Sequence, residues 1–276
     1  MTRVIAVASN KGGVAKTTTS LSLGGGLAEQ GLSVLLVDLD PQAHLTVSLG
    51  VHPDTLRHTV GDVMLSHRSL ISVSQETPVE GLDLAPANRE LMVLDKVLYN
   101  RPGYEYRLRL DMEQRGWDLY DIVLMDCPPS FGTLTLNALT VADLLIVPVQ
   151  CEYYAARSLG QMLEMVTLVR RKSNPRLSYR LLVTLFDGRN KVHHLILHYM
   201  RSRFAKAMFE TIIQVDTRLR EGPAFGLPVT RYAPRTRAAA QYRALVHEVL
   251  ACLPHPAAAA TPADETSLPA KEAVRP

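Results

Sequence analysis

Near its start the chain carries a short run that reads as a buried strand, Val4 to Ser9, apolar up to Ala8. It passes through SNKGGVAKTTT into a segment of helical character, Thr17 to Gln30, which Gly31 stops. This feature constrains the fold most. A strand that turns through glycines onto a helix N-terminus sets several backbone N–H groups, and the positive end of the helix dipole, around one anion. Gly12 and Gly13 let the backbone come close to phosphate oxygens. Lys16 supplies a cation for β- and γ-phosphates, and the Thr17 hydroxyl is placed to ligate Mg2+. The strict pattern G-x-x-x-x-G-K-[ST] is not met, because Asn10 and Ala15 stand at its two glycines. The looser K-G-G-x-x-K-[ST]-[ST] is met by Lys11, Gly12, Gly13, Lys16, Thr17 and Thr18, with Val14 and Ala15 at the free positions. An incidental glycine turn would satisfy the residues alone. The strand before and the helix after favour a phosphate loop.

The rest of the chain repeats the alternation. Buried-type strands are expected at Ser33 to Asp38, Leu82 to Pro86, Tyr120 to Asp126, Asp143 to Val149, Tyr179 to Leu185 and Phe209 to Ile213. Helices are expected at about 88–98, 104–115, 132–142, 153–172, 191–205 and 236–252. Continuous apolar strands separated by helices imply an α/β fold, a doubly wound and mostly parallel sheet with helices on both faces. One domain, 1–253, is expected. From Pro254 an Ala- and Pro-rich stretch with a single large apolar residue, Leu268, reads as a disordered tail, 254–276.

In such sheets ligands gather at the carboxyl ends of strands. SVLLVDLDPQ ends in Asp38 and Asp40, and YDIVLMDCPPS ends in Asp126. A carboxylate at a strand tip can hold metal-bound water or orient an attacking water. A lone Asp after a strand is more often a turn residue. Three at strand tips, beside a lysine loop, read as the rest of a Mg2+ nucleotide site. Pro128 and Pro129 stiffen the segment after Asp126, as suits a γ-phosphate sensor.

Composition adds a charge asymmetry. Net charge is +3, yet Arg157 to Arg243 holds 17 Lys or Arg against five Asp or Glu. That surplus is either a solvated surface or a footprint for a polyanion. No run of about 18 apolar residues appears, so no membrane-spanning helix is expected. A membrane-surface helix at 236–252 would want a larger Lys/Arg face and bulky aromatics at the chain end, where an Ala/Pro stretch stands instead, so no membrane partner is expected. Cys127, Cys151 and Cys252 lack metal or disulfide spacing and suit a reducing, cytoplasmic setting. HHxxxH at His193, His194 and His198 has metal-ligand spacing but no acidic or thiol partner nearby, so a capping or solvated role ranks first. Tyr153 and Tyr154 could stack bases, although packing is the commoner use.

NKGGVAKTTT, VLLVDLDPQ, LAPAN, YDIVLMDCPPSFGTLTLNAL, IVPVQCEYYA, LVTLFDGR and TRLREGPAFG together resemble the ParA/Soj partition ATPases, relatives of MinD, over residues 4 to about 228. The resemblance implies an ATP- and Mg2+-dependent homodimer in the ATP state. It also implies non-specific binding of double-stranded DNA, association with the nucleoid, and slow hydrolysis stimulated by a ParB-like adaptor. Carried over residue by residue, Lys11 is the lysine that crosses to the partner's phosphates. Lys16 and Thr17 are the phosphate and magnesium ligands, Asp40 orients the hydrolytic water, and Asp126 is the Walker B acid. From their strand-tip positions, Asp38 and Asp126 are the carboxylates expected to hold the metal through water. Arg189 and Arg218 match positions that grip DNA phosphates. The chain departs from the family where Ala15 replaces a glycine, where QAH (42–44) replaces QGN, and where IIQVDTRLREGP (212–223) replaces IIPRNVRLSEAP, a stretch near the adenine. If the loop needs a positive φ at Ala15, strain of about 1 kcal/mol follows. With the loop beginning at residue 10, the short form without a helix-turn-helix extension is expected. Three functions remain open: segregation of chromosome or plasmid DNA; positioning of a protein cargo, such as a chemoreceptor array or microcompartment, on the nucleoid; and a MinD-like membrane-associated regulator, which the polar Ala/Pro tail disfavours.

Overall fold

The computed structural model describes residues 2–99, 101–152 and 155–253. The expected tail and the Tyr153–Tyr154 pair lie outside the described residues. Eight strands are described: β1 (Arg3–Val7), β2 (Val34–Asp38), β3 (Gln75–Glu76), β4 (Leu82–Ala85), β5 (Ile122–Asp126), β6 (Leu144–Gln150), β7 (Ser178–Phe186) and β8 (Met208–Gln214). They form one sheet in the order β3-β4-β2-β5-β1-β6-β7-β8. All neighbours pair parallel except β3 with β4. The expected strands are present. The two-residue β3 was not anticipated, since it is too short to carry a hydrophobic period.

Burial on both faces explains the continuous apolar strands. β1 sends Val4 and Ala6 into the core on one face and Ile5 and Val7 into the core on the other. β2 does the same with Leu35 and Val37 against Val34 and Leu36. Each of these valine, isoleucine and leucine side chains contributes roughly 1.5–3 kcal/mol by leaving water, and Ala6 less. The expected helices appear as Lys16–Ala28, Leu91–Leu98, Arg107–Arg115, Thr133–Val141, Ala155–Lys172, Lys191–Phe204 and Arg237–Cys252. Short helices at His44–Ser48, Val60–Met64, Leu70–Val73, Arg218–Glu221 and Val229–Tyr232 escaped the periodicity, being under two turns. Capping boxes at Thr59 with Asp62 and Ser69 with Ser72 mark two of them.

The helix after the phosphate loop is clamped. Its mid-helix glycines oppose helix propensity, but a Cβ on Gly25 would sit 2.5 Å from Pro228 Cγ. Close approach to the 228–246 region therefore sets that residue. Thr19 and the buried Tyr242, from helix Arg237–Cys252, share a hydrogen bond of 3.3 Å. With β1 between β5 and β6, the strand order reverses at β1, and the crevice outside its carboxyl end is where the phosphate loop lies.

Candidate phosphate and metal site

The loop from β1 to helix Lys16–Ala28 is built so that its oxygens turn inward and its donors stay open. Gly13 O accepts from Gln150 Nε2 (3.0 Å), Val14 O from Thr184 Oγ1 (3.0 Å) and Ala15 O from Thr19 N (2.9 Å). Among the described residues, the N–H groups of Gly12, Gly13, Val14, Ala15, Lys16, Thr17 and Thr18 have no acceptor within the protein. Consecutive open donors at a helix N-terminus form an anion cradle. Gly13 takes φ 75, and Ala15 takes φ 63 with ψ 36. The positive φ on which the expected strain depended is present at Ala15.

The cationic and acidic side chains face this cradle. Lys16 is buried, with Nζ 3.3 Å from Lys11 O. Burial lowers its pKa, against the opposing pull of Asp126 and Asp40. Thr17 Oγ1 donates to Asp126 Oδ2 at 2.6 Å, and Ser20 Oγ donates to Asp126 Oδ1 at 2.9 Å. Across the β2–β5 ladder Asp38 and Asp126 are register partners. Burial pushes Asp126 up to about 6, although the bonds from Thr17 and Ser20 and the Lys16 charge oppose it. Asp38 is pushed up to about 7, by burial first and the Asp126 charge second. Two buried carboxyls held above their ordinary range, with a threonine hydroxyl beside them, are hard oxygen donors that a Mg2+ charge would favour as anions.

Asp38 also ties its own loop. Its Oδ1 accepts Asp40 N (3.0 Å), and its Oδ2 accepts Thr46 N (2.8 Å) and Oγ1 (2.7 Å). Asp40 is 8% exposed; its Oδ1 accepts Gln42 N and its carbonyl accepts Ala43 N. Ala43 has φ 54, so the second alanine standing where a glycine is usual is also left-handed. Lys11 lies apart from this set. Its Nζ donates to Gln150 Oε1 at 3.1 Å and pairs with Glu152. Sequence reasoning missed Ser20, Thr46, Gln150 and Thr184. Of these only Ser20 left a signal, a hydroxyl three residues after Thr17 on a buried helix.

The basic half is sorted by the structure into spent and open charges. Arg170 donates to Leu177 O, Arg237 to Val215 O, and Arg243 pairs with Glu29. Arg189 and Arg218 are exposed, 90% and 50% by side chain, and share a design. Each follows an Asp two residues earlier whose Oδ1 accepts the Arg backbone N–H at 3.0 Å. The Arg189 guanidinium folds back onto both oxygens of Asp187, which drives that carboxyl down to about 2. The Arg218 guanidinium pairs with Glu221 at 2.9 Å. Lys191, Arg201, Arg203, Arg220 and Arg231 are exposed as well. The paired histidines do not stand free: His193 and His194 both bond the loop that carries Arg189. No helix among the described residues is long and apolar enough to cross a membrane.

A strand, an anion cradle, a lysine and strand-tip carboxylates at the switch point of a doubly wound sheet define a P-loop NTPase fold. A family model described as an AAA domain matches residues 2–179. The chain is 39% identical over 252 residues to the sporulation initiation inhibitor protein Soj of Bacillus subtilis (strain 168), covering 91% of itself and 99% of that protein. It is 36% identical over 249 residues to the chromosome partitioning protein ParA of Myxococcus xanthus (strain DK1622), covering 90% and 88%. The chain therefore belongs to the AAA domain family and, within it, to the ParA/Soj partition ATPases. A solved structure, described as cobyrinic acid a,c-diamide synthase from Mycobacterium smegmatis with bound ATP analog and magnesium, matches with a TM-score of 0.75 at 40% identity, covering 91% of this chain and 95% of that one.

Proposed function

We propose that the chain is a Mg2+-dependent ATPase that forms a homodimer in its ATP state. In that state it holds double-stranded DNA without sequence preference and, with a ParB-like adaptor, drives partition of chromosome or plasmid DNA on the nucleoid in the cytoplasm. One observation carries the reading: the loop's two lysines are placed differently. Lys16 is buried against the cradle, whereas Lys11 is held outside it by Gln150 and Glu152. A cation that its own loop does not use is suited to a second subunit's phosphates, in the way an arginine finger acts in trans.

In this reading the open N–H groups of Gly12 to Thr18 and the Lys16 ammonium bind the triphosphate. The Thr17 hydroxyl, with Asp126 and Asp38 behind it, holds the Mg2+. The metal, when bound, supplies positive charge that offsets charge developing on the β–γ bridge. Asp40 orients the attacking water, and the 38–46 loop, pinned by Asp38 and Thr46, fixes where its carboxylate sits. Arg189 and Arg218 exchange their acidic partners for DNA phosphates. Because one protomer offers half of the contact surface, DNA affinity rises on dimerisation.

The test combines light scattering with DNA binding. Wild-type protein is expected to be dimeric with ATP and monomeric with ADP, and to bind unrelated duplexes only with ATP. Lys11→Ala is expected to retain nucleotide binding and lose the ATP dimer together with DNA binding. A Lys11→Ala protein that still dimerises with ATP, or DNA binding that is equal without nucleotide, overturns the proposal.

A further inference from the structure

Helix Lys191–Phe204 begins one residue after the turn that presents Arg189. The turn is closed by Asn190 N donating to Asp187 O at 3.0 Å, and Asn190 then caps the helix by accepting Val192 N at 2.9 Å. From the first turn of that helix two imidazoles reach back onto the loop. His193 Nδ1 accepts the Asp187 N–H at 3.0 Å. His194 Nε2 lies 2.8 Å from Gly188 O; because a carbonyl only accepts, this nitrogen carries the proton. Both rings rest on Phe186, with centroids at 5.7 and 5.2 Å. Phe186 is itself buried and follows Leu185, which takes the left-handed φ of 52. A non-glycine residue there stores strain that neighbouring contacts must hold in place.

We infer that His193 and His194 are positioning residues for Arg189: one bonds the N–H before Gly188 and the other the carbonyl of Gly188, so together they staple the Asp187–Gly188–Arg189 turn. The role rests on the proposed use of Arg189 against DNA phosphate. The Asn190 and Arg189 N–H bonds to Asp187 close the turn from within, but Gly188, with no Cβ to restrict its backbone, leaves the orientation of that closed turn on the body of the protein to outside contacts. Arg189 is almost wholly exposed and, among the described residues, its guanidinium bonds only Asp187, whose own backbone the His193 bond fixes. The two imidazoles are therefore spent in opposite senses, one as acceptor and one as donor, and this makes the inference separable by chemistry.

His193→Ala and His194→Ala are each expected to weaken ATP-dependent DNA binding by roughly three- to tenfold, the value of one oriented hydrogen bond, with the ATP dimer unchanged. His193→Asn, which keeps an acceptor at the Nδ1 position, and His194→Gln, which keeps an N–H donor at the Nε2 position, are expected to restore binding to within about twofold. The swapped pair, His193→Gln and His194→Asn, should not. Combined with Arg189→Ala, either alanine variant should add nothing further. Amide hydrogen exchange supplies a readout independent of DNA. The Asp187 amide should exchange faster in His193→Ala and recover in His193→Asn. An unchanged exchange rate, or alanine variants that bind DNA as wild type while Arg189→Ala does not, overturns the staple. If Arg189→Ala itself binds DNA normally, the DNA reading of Arg189 fails, and the exchange rates still decide whether the staple exists.

Discussion

The phosphate loop and the Arg189 turn are both short connections leaving parallel strands, β1 and β7, and each has a left-handed non-glycine residue in it or beside it, Ala15 in the loop and Leu185 in the last two residues of β7. They differ in what surrounds them. Around the phosphate loop the charged groups are buried and face one another: Lys16, Asp38, Asp40 and Asp126 all lie under 10% exposed. At Arg189, and likewise at Arg218, the charges are solvated and paired locally, Asp187 with Arg189 and Arg218 with Glu221. In the buried site a charge is held by desolvation and neighbours, so removing one member disturbs every other. On the exposed turns water screens the charges, so the DNA affinity proposed for them would come from the number of contacts and fall with salt. Site loss at the loop should thus be large and specific, and loss at the turns graded and additive.

The largest difference is expected at Asp40. Asp40→Ala should lower the hydrolysis rate by roughly 100-fold, the scale of a positioned carboxylate acting on water. The ATP dimer and its DNA binding should remain, because the bonds that Asp38 and Thr46 make hold the loop on their own account. Single-turnover hydrolysis beside light scattering measures both. A variant that hydrolyses normally, or one that no longer dimerises, would place Asp40 in a different role.

At the exposed turns, Arg189→Glu or Arg218→Glu should weaken DNA binding by about tenfold at moderate salt on every duplex alike. Each should also reduce the slope of log affinity against log salt by about one. Asp187→Asn sharpens the contrast. It keeps the oxygen that accepts Arg189 N–H and removes the charge that, under the proposed function, would compete with DNA phosphate, so binding should tighten. If Asp187→Asn instead weakens binding, the carboxylate aims Arg189 more than it competes for it.

What could be read from the sequence follows the same divide. The loop, the strand tips and the seven longer strands are spelled by contiguous residues, because backbone conformation and two-sided burial act locally. The supporting groups are not. Gln150 and Thr184 hold the Gly13 and Val14 carbonyls from strands β6 and β7, far along the chain, and nothing in their own neighbourhood marks them. In the sequence Asp187 and Asp216 are only two of the five acids in the basic half. Their use, an oxygen on the backbone N–H of each arginine, appears only in three dimensions. The HHxxxH spacing could be set aside as a metal site, but what the histidines bond instead depended on where β7 ends.

A smaller effect separates the two regions by pH. In the folded chain Asp38 is pushed up to about 7 and Asp126 to about 6, whereas unfolded carboxyls titrate near 4. The folded state therefore holds more protons between these values. This contribution is fully present below about pH 4 and is lost as pH rises through about 6 to 7. Protein kept free of metal and nucleotide with a chelator should melt at a lower temperature at pH 8 than at pH 5.5, with Asp38→Asn flattening the trend. Asp187 points the other way, since Arg189 holds it at about 2, so its contribution is constant across that window. A melting temperature that rises from pH 5.5 to 8 would contradict the burial of these two acids.

The smallest effect is expected at Ala15, and its direction tests where the strain is stored. A left-handed alanine costs about 1 kcal/mol relative to glycine. The conformation is set by the protein's own contacts: Gln150 on Gly13 O, Thr184 on Val14 O and Thr19 on Ala15 O. The strain accordingly belongs to folding and not to the binding step. Ala15→Gly relieves it in the folded state but adds freedom to the unfolded chain worth roughly 0.5–1 kcal/mol. The two nearly cancel. Melting temperature should shift by no more than about 2–4 °C, and ATP affinity should change by less than about threefold. Ala15→Val, by contrast, puts a β-branched side chain at φ 63, which such residues almost never adopt. It should lose stability and nucleotide binding together. Calorimetric titration with thermal melts of both variants decides the matter. Tenfold tighter binding in Ala15→Gly would mean that the loop takes its left-handed turn only as nucleotide binds.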